Sequence, residues 1–267
     1  MLVRLGCEFD YLCAGRVPAL WQVRPRLDGA HRIVYERWEP PAPAAAYLDS
    51  YGNYCDRLVL PEGPSRLRYD ALVEVADGAD ESDPTAEQGP LEALPDEALL
   101  YLLASRFCWP DALHDEAWEL FGEVAPGYLQ VVAICDWVHD QLRYEIGASD
   151  PWTTAVDVWR SRSGVCRDFT HLGVTLCRAL NLPARYVAGY LPDIGVEAPL
   201  PMDFCSWLEV WLGDRWWTFD PRNNEPRAGR VVVAYGRDAS DAAMVTTWGA
   251  AELVRMTVWA DEVAGAH

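Results

Sequence analysis

Hydrophobic and polar positions follow two different periods along the chain. Up to about residue 76, short extended segments predict strands at residues 3–11, 20–23, 32–37, 57–60 and 66–75. Turn signals separate them, among them YGN at 51–53 and PEGP at 61–64. This part of the sequence therefore predicts a small antiparallel β-domain.

The period becomes helical after residues 77–90, an acidic stretch that contains glycine and proline. Its composition is typical of a solvated linker, although a surface loop within one domain fits nearly as well. Helical spacing of apolar residues then predicts helices at 98–104, 113–121 and 131–142. We predict two parts, a β-domain with its linker at residues 1–90 and a second domain at residues 91–267.

Another helix is predicted directly after Cys166. The residues before it read SGV, apolar positions follow at helical spacing, and NLP at 181–183 stops the pattern. Strands are expected at 184–190, 204–212, 215–219, 230–235 and 253–259, with a hairpin turn at Gly213 and Asp214. The prediction is an α+β fold with Cys166 at or near a helix N-terminus.

Composition narrows the class of protein. The 267 residues are 51% hydrophobic, enough for one large globular domain or two modest ones. The net charge of −19 opposes binding to nucleic acid or to anionic membranes. No apolar run approaches the roughly 18 residues of a membrane span, and residues 1–7 lack a leader pattern, so we expect a cytoplasmic protein. The eight scattered cysteines lack zinc-site spacing, and no metal or cofactor is predicted.

A cysteine in the first turn of a helix has a chemical advantage. The macrodipole and the unpaired N–H groups there favour a thiolate and can stabilise an oxyanion beside the sulfur. On these grounds alone, a buried structural cysteine explains Cys166 better. The surrounding sequence pattern has to decide between the two.

Four segments around Cys166 resemble the core of the transglutaminase-like superfamily. They read SGVCRDF at 163–169, PARYVAGY at 183–190, WLEV at 207–210 and WTFDP at 217–221. SRFC at 105–108, CDWVH at 135–139 and the segment 229–239 resemble its bacterial subfamily, which adds an N-terminal β-domain. The resemblance implies an N-terminal antiparallel β-domain followed by a papain-like core of helices packed on an antiparallel sheet.

The resemblance also implies roles by position. Cys166 resembles the family nucleophile, and Asp220 resembles the acid that orients the base. At the position of the family's base histidine, this sequence has Cys205. Trp207 and Glu209, which match the family pattern, fix the register of this alignment. A thiol cannot shuttle protons as imidazole does, and loss of a general base costs about 10²–10⁴ in rate.

None of the five histidines is an evident substitute. His171 follows Cys166 by five residues, a rotation of about 140° on a helix, so the two side chains should point apart. The others are His31, His114, His139 and His267. We interpret all five as structural or solvated residues.

Cys205 is expected to lie close to Cys166 if the resemblance holds. That proximity permits a disulfide, a shared proton or a soft-metal site with Asp220, and an inert replacement explains it equally well. Trp207 and Trp152 are candidates for substrate binding in an apolar cleft, although such aromatics also fill sheet cores.

The resemblance implies a cysteine acyltransferase of specialised metabolism, since similar family members form amides in natural-product assembly. Cys166 would accept an acyl group from a small-molecule, peptide or carrier-bound donor as a thioester and pass it to an amine or another nucleophile. A thioester donor relaxes the need for histidine, because a thiolate leaves without protonation. The alternatives are a silenced module that binds a ligand or peptide, a cysteine peptidase or amidase, and a redox-sensitive disulfide.

Overall fold

The fold is described from a computed structural model, which covers residues 1–197 and 201–263. Its first part contains six strands: β1 (Leu2–Cys13), β2 (Val17–Trp21), β3 (His31–Glu39), β4 (Ala45–Leu48), β5 (Tyr54–Leu60) and β6 (Gly63–Val75). In β6, every second residue is buried, as expected for a strand with one face against a core. The predicted N-terminal antiparallel sheets are confirmed, and β4 is a strand that the sequence did not predict.

The middle of the chain is mainly helical: α1 (Asp96–Leu99), α2 (His114–Phe121), α3 (Tyr128–Gln141), β7 (Arg143–Tyr144), α4 (Ala155–Ser161), β8 (Ser163–Gly164) and α5 (Cys166–Ala179). The helix predicted at 98–104 is shorter than expected. It ends in a 3₁₀ turn, Leu100–Leu102, because Leu103 is extended and its carbonyl accepts a hydrogen bond from Arg178 instead. Within residues 1–197 and 201–263, no helix has the length and apolar character needed to cross a membrane.

Six more strands follow: β9 (Ala184–Tyr190), β10 (Cys205–Leu212), β11 (Arg215–Phe219), β12 (Val231–Gly236), β13 (Val245–Thr247) and β14 (Ala251–Val263). The first four form an antiparallel sheet in the order β11-β10-β9-β12. The hairpin predicted at Gly213 and Asp214 is confirmed, since Leu212 pairs with Arg215 across it and Gly213 has a φ of 64°. A residue with a left-handed backbone conformation at the first turn position is typical of two-residue hairpin turns.

The last two strands return to the N-terminal sheets. β14 pairs with β1 along its whole length, and β13 pairs with β2. The sheets therefore take strands from both sides of residue 90, and the division into two domains at that residue stays a prediction.

Two apolar cores hold the molecule together. One lies between the N-terminal sheets and one face of β9 and β12. The other surrounds α5, which is buried from Asp168 to Ala179 against α2, α3, α4 and β10. Because nearly every residue of α5 after its first turn is packed, the position of its N-terminal residue, Cys166, is fixed by the core.

Candidate active site

The start of α5 is fixed by Asp168, which folds back over the residues before the helix. Its carboxylate accepts the Val165 N–H at 2.8 Å and a hydrogen bond from the Ser149 hydroxyl. A Cβ on Gly164 would lie only 2.6 Å from the Cβ of Asp168, so glycine is required for this approach. Cys166 is thereby held in the first helical turn, where N–H groups lack helical partners and the dipole favours a thiolate.

Cys166 and Cys205 lie beside each other and line the same cavity. Cys205 begins β10 and pairs with Gly189 of β9. It is 7% exposed, whereas Cys166 is half-buried and packs against the cluster that contains Cys205. The Cys166 thiol also lies 3.9 Å from the Phe204 carbonyl. The predicted proximity of the two cysteines is confirmed.

The surroundings of the pair favour a thiolate on Cys166. Hydrogen bonding from Cys205 is the largest effect, and together with Ser206 and the charge of Arg222 it lowers the pKa of Cys166 despite burial. The same hydrogen bond, burial and the nearby charge of Asp220 raise the pKa of Cys205. Of the two thiols, Cys166 is therefore the one that ionises first, while Cys205 stays protonated.

Arg222 supplies the positive charge at this site. It lines the cavity with both cysteines, and its guanidinium lies 4.6 Å from the centre of the Tyr144 ring. Burial opposes the charge of Arg222, but the two thiols, Tyr144 and Asp220 together raise its pKa, so it stays a cation. A cation that faces a thiolate stabilises it, as a protonated histidine would.

Asp220 is buried, and its carboxylate is fully engaged. One oxygen accepts the N–H groups of Arg222 and Asn223 at 3.1 and 3.0 Å. The other accepts the Asn223 side-chain amide at 2.8 Å and Arg230 at 3.0 Å. Burial opposes ionisation, yet Arg230 and these donors lower the pKa of Asp220. Since a carboxylate has about four acceptor positions, none is left to orient a base.

Arg230, one of the donors to Asp220, is itself fixed by other residues. The guanidinium lies 4.8 Å from the centre of the Trp207 ring and binds both oxygens of Asp80 at 2.9 Å. Asp80 belongs to the acidic stretch that was interpreted as a linker, so part of that stretch is anchored against the core. A buried Arg between two carboxylates is a structural ion-pair network.

One alternative for Cys166, Cys205 and Asp220 was a site for a soft metal ion. All eight cysteines are free thiols. Among residues 1–197 and 201–263, no three His, Cys, Asp or Glu side chains are grouped closely enough to hold a metal ion, Cys166, Cys205 and Asp220 included.

His171 lies in the core, away from Cys166. Its ring stacks on Phe107 and packs against Tyr186, and its Nε2 accepts the Ala239 N–H at 3.1 Å. Burial lowers the pKa of His171, so the imidazole is neutral. Three others lie outside the cavity: His31, His114 and His139. His267 lies outside the described residues.

The two candidate tryptophans do not line the cavity that contains Cys166. Trp207 is 1% exposed, so it packs in the core and has no open face for the substrate-binding role predicted for it. Trp152 is 72% exposed, with the Arg106 guanidinium 5.1 Å from its ring. A role of Trp152 in substrate binding stays a prediction.

Sequence reasoning missed Arg222 and Ser206. Arg222 follows the Asp220-Pro221 dipeptide, which is a turn signal, but nothing in the sequence indicates that its side chain turns toward Cys166. Ser206 is next to Cys205, and its hydroxyl lies 3.1 Å from that of Thr170. Thr170 could be found from the sequence as a residue one helical turn after Cys166.

Comparison with known proteins agrees with this geometry. Residues 117–221 match the core model of the transglutaminase-like superfamily. A solved structure from Cytophaga hutchinsonii, named a "Putative Cysteine Protease", is 30% identical and superposes with a TM-score of 0.91. That match covers 100% of this chain and 92% of the other.

Mycobacterial proteins of uncharacterised function are also similar. One from Mycobacterium leprae is 34% identical over 117 residues, and one from Mycobacterium tuberculosis is 28% identical over 236 residues. The first match covers 42% of this chain and 42% of the relative, less than half its length, and the second covers 79% and 73%. By its motifs, its fold and these relatives, the chain belongs to the transglutaminase-like superfamily.

Proposed function

We propose that the protein is a cysteine acyltransferase in which Cys166 accepts an acyl group as a thioester and passes it to an amine. The observation that carries the proposal is the environment of Cys166, a half-buried thiol at a helix N-terminus in a cavity that Cys205 and the Arg222 guanidinium also line. These groups favour the nucleophilic thiolate without a histidine.

The same environment favours a thioester donor over an amide. An amide nitrogen needs a proton before it leaves, and that proton ordinarily comes from a protonated base. Here the base position holds Cys205, and the carboxylate of Asp220 is saturated by hydrogen bonds. A thiolate leaves without protonation, so exchange from a thioester donor onto Cys166 requires only the activated nucleophile.

The cavity wall favours a cationic acceptor. Its acidic lining residues are Asp193, Glu197, Asp203 and Glu225, against the guanidinium groups of Arg222 and Arg227. Arg227 is already paired with Asp193 at 2.8 Å. The remaining carboxylates attract a protonated amine. Once a carboxylate has taken its proton, the free amine can attack the acyl group and release the Cys166 thiolate.

A direct test is to incubate the protein with octanoyl-N-acetylcysteamine and to measure its intact mass before an amine is added. We expect one octanoyl adduct, located on Cys166 by peptide mapping and discharged by added putrescine. Cys166→Ala should give no adduct, and Cys13→Ser, a change far from the cavity, should leave it intact. Absence of an adduct on the folded wild-type protein would support the silenced, ligand-binding alternative.

A second arm separates acyl transfer from peptidase or amidase activity. Cys205→His places an imidazole beside Cys166, but Asp220 has no acceptor position free to orient it. We therefore expect a gain in amide hydrolysis of less than about 10-fold, well below the 10²–10⁴ that a positioned base supplies. Rapid amide hydrolysis by the wild-type protein would contradict the proposed preference for thioesters.

A further inference from the structure

We propose that Cys166 and Cys205 form a dithiol site that reacts with hydroperoxides, with Cys166 as the attacking thiolate and Cys205 as the resolving thiol. Cys166 packs against the cluster that contains Cys205, and both residues line one cavity, while the other six cysteines lie outside it. The proposal goes beyond acyl transfer and stands independently of it, because it requires neither an acyl donor nor an amine.

Access and charge suit the first step. Cys166 is half-buried in the cavity wall, so a small peroxide can reach its sulfur. The thiolate attacks one peroxide oxygen and the O–O bond breaks, which gives a sulfenic acid on Cys166 and an alkoxide or hydroxide that takes a proton from water. The peroxide is reduced and the thiolate is oxidised by the same two electrons.

Donors for the leaving oxygen are already in place. Arg222 lines the cavity as a cation, and Cys166 begins α5, where backbone N–H groups lack helical partners. Fixed donors around developing negative charge are the general means by which sites stabilise a leaving anion.

Cys205 completes the second step. Its sulfur attacks the sulfenic sulfur of Cys166, the S–S bond forms, and the hydroxyl of the sulfenic acid leaves with the Cys205 proton as water. A dithiol reductant would return the pair to two thiols. In the oxidised form, Cys166 is no longer a nucleophile, so the same reaction reversibly blocks acyl transfer.

A matched internal control exists in the core. Cys135 and Cys177 are also close enough for their charges to interact, but both are buried and both have raised pKa values. Thiols in such a site should neither ionise nor meet peroxide. They test whether proximity alone is sufficient for oxidation.

The experiment treats the reduced full chain with one equivalent of hydrogen peroxide and maps disulfides by peptide mass spectrometry without reduction. We expect a Cys166–Cys205 disulfide that dithiothreitol reverses, with Cys135 and Cys177 still free. Cys205→Ser should lose the disulfide, give a sulfenic acid that dimedone traps on Cys166, and form sulfinic acid with excess peroxide. Cys13→Ser should behave as wild type.

Three results would overturn the proposal. One is a wild-type protein, shown to be folded, whose Cys166 and Cys205 both stay free in peroxide. Another is Cys166 oxidised directly to sulfinic acid with Cys205 untouched. The third is equal oxidation of the buried pair. None of them bears on the octanoyl adduct, so failure here is distinguishable from failure of the proposed acyltransferase.

Discussion

The molecule contains two pairs of neighbouring cysteines, and they differ in almost everything except residue type. Cys135 and Cys177 lie between α3 and α5 in an apolar core, where burial raises the pKa of Cys177 to about 12 and that of Cys135 also well above its usual value. Cys166 and Cys205 lie at the edge of a cavity, where hydrogen bonds and a guanidinium lower the pKa of Cys166.

The comparison shows that proximity of two thiols does not determine their pKa values. Cys166 and Cys177 belong to the same helix, three turns apart. One is at the N-terminus with donors around it, and the other is near the C-terminal end with apolar neighbours. Environment along a single helix thus lowers the pKa of one thiol and raises that of the other.

The largest expected difference is in alkylation of the two pairs. At neutral pH, we expect iodoacetamide to label Cys166 at least about 100-fold faster than Cys135 or Cys177, because the buried thiols are exposed only by unfolding. The rate for Cys166 should persist below the ordinary thiol range, since the thiolate disappears only when pH falls through its lowered pKa. Peptide mass spectrometry at several pH values measures this, and equal labelling of all three would contradict the assignment.

Next in size is the effect of removing the Cys205 hydrogen bond. Cys205→Ala takes away the largest cause of the lowered Cys166 pKa, and we expect neutral-pH labelling of Cys166 to fall by about 10-fold, one pKa unit. Cys205→Ser keeps a donor and should recover most of the rate. If both variants label like wild type, Cys205 does not stabilise the thiolate.

A smaller effect is expected for Arg222→Gln. The cation is one of several contributors, so labelling of Cys166 at neutral pH should fall by about 3-fold, with the midpoint of its pH profile moved upward. Arg143→Gln, which removes an exposed charge from the neighbouring β7, is the matched control and should have little effect. Arg222→Lys should restore part of the rate because it returns the charge.

A separate effect, on folding rather than labelling, concerns stability against pH. The folded protein keeps Cys177 protonated, while the unfolded chain ionises it near pH 8.5, so its contribution is present below that pH and is lost as the pH rises further. Above pH 8.5, the free energy of unfolding should therefore fall less steeply with pH in Cys177→Ala, by up to about 1.4 kcal/mol per pH unit. Urea unfolding at pH 7 and pH 10 measures the change, and identical pH dependence in the two proteins would contradict it.

Much of the fold could be predicted from the sequence. Alternation and turn residues located β1, β6, β9 and the hairpin at Gly213, because each of these depends on local spacing. β4 was missed, since its four residues are exposed and carry no alternation. The return of β14 to β1 could not be predicted, because strand pairing over such a sequence distance leaves no local signal.

The sequence by itself determined where Cys166, the proposed nucleophile, lies in the fold. SGVC before an apolar helix placed Cys166 in a first turn, and the register around Trp207 identified Cys205 as the residue at the base position. These inferences depend on neighbours within a few residues, and the resemblance to known proteins supplied the roles.

Only the tertiary structure decided how the site is charged. The Arg230 guanidinium binds the Asp220 carboxylate, and Arg222 lines the cavity that contains both thiols. An arginine in a sequence is more often a surface residue than a buried partner. Whether its guanidinium meets water, a carboxylate or a thiolate depends on how separate segments pack, and this packing sets the pKa of Cys166.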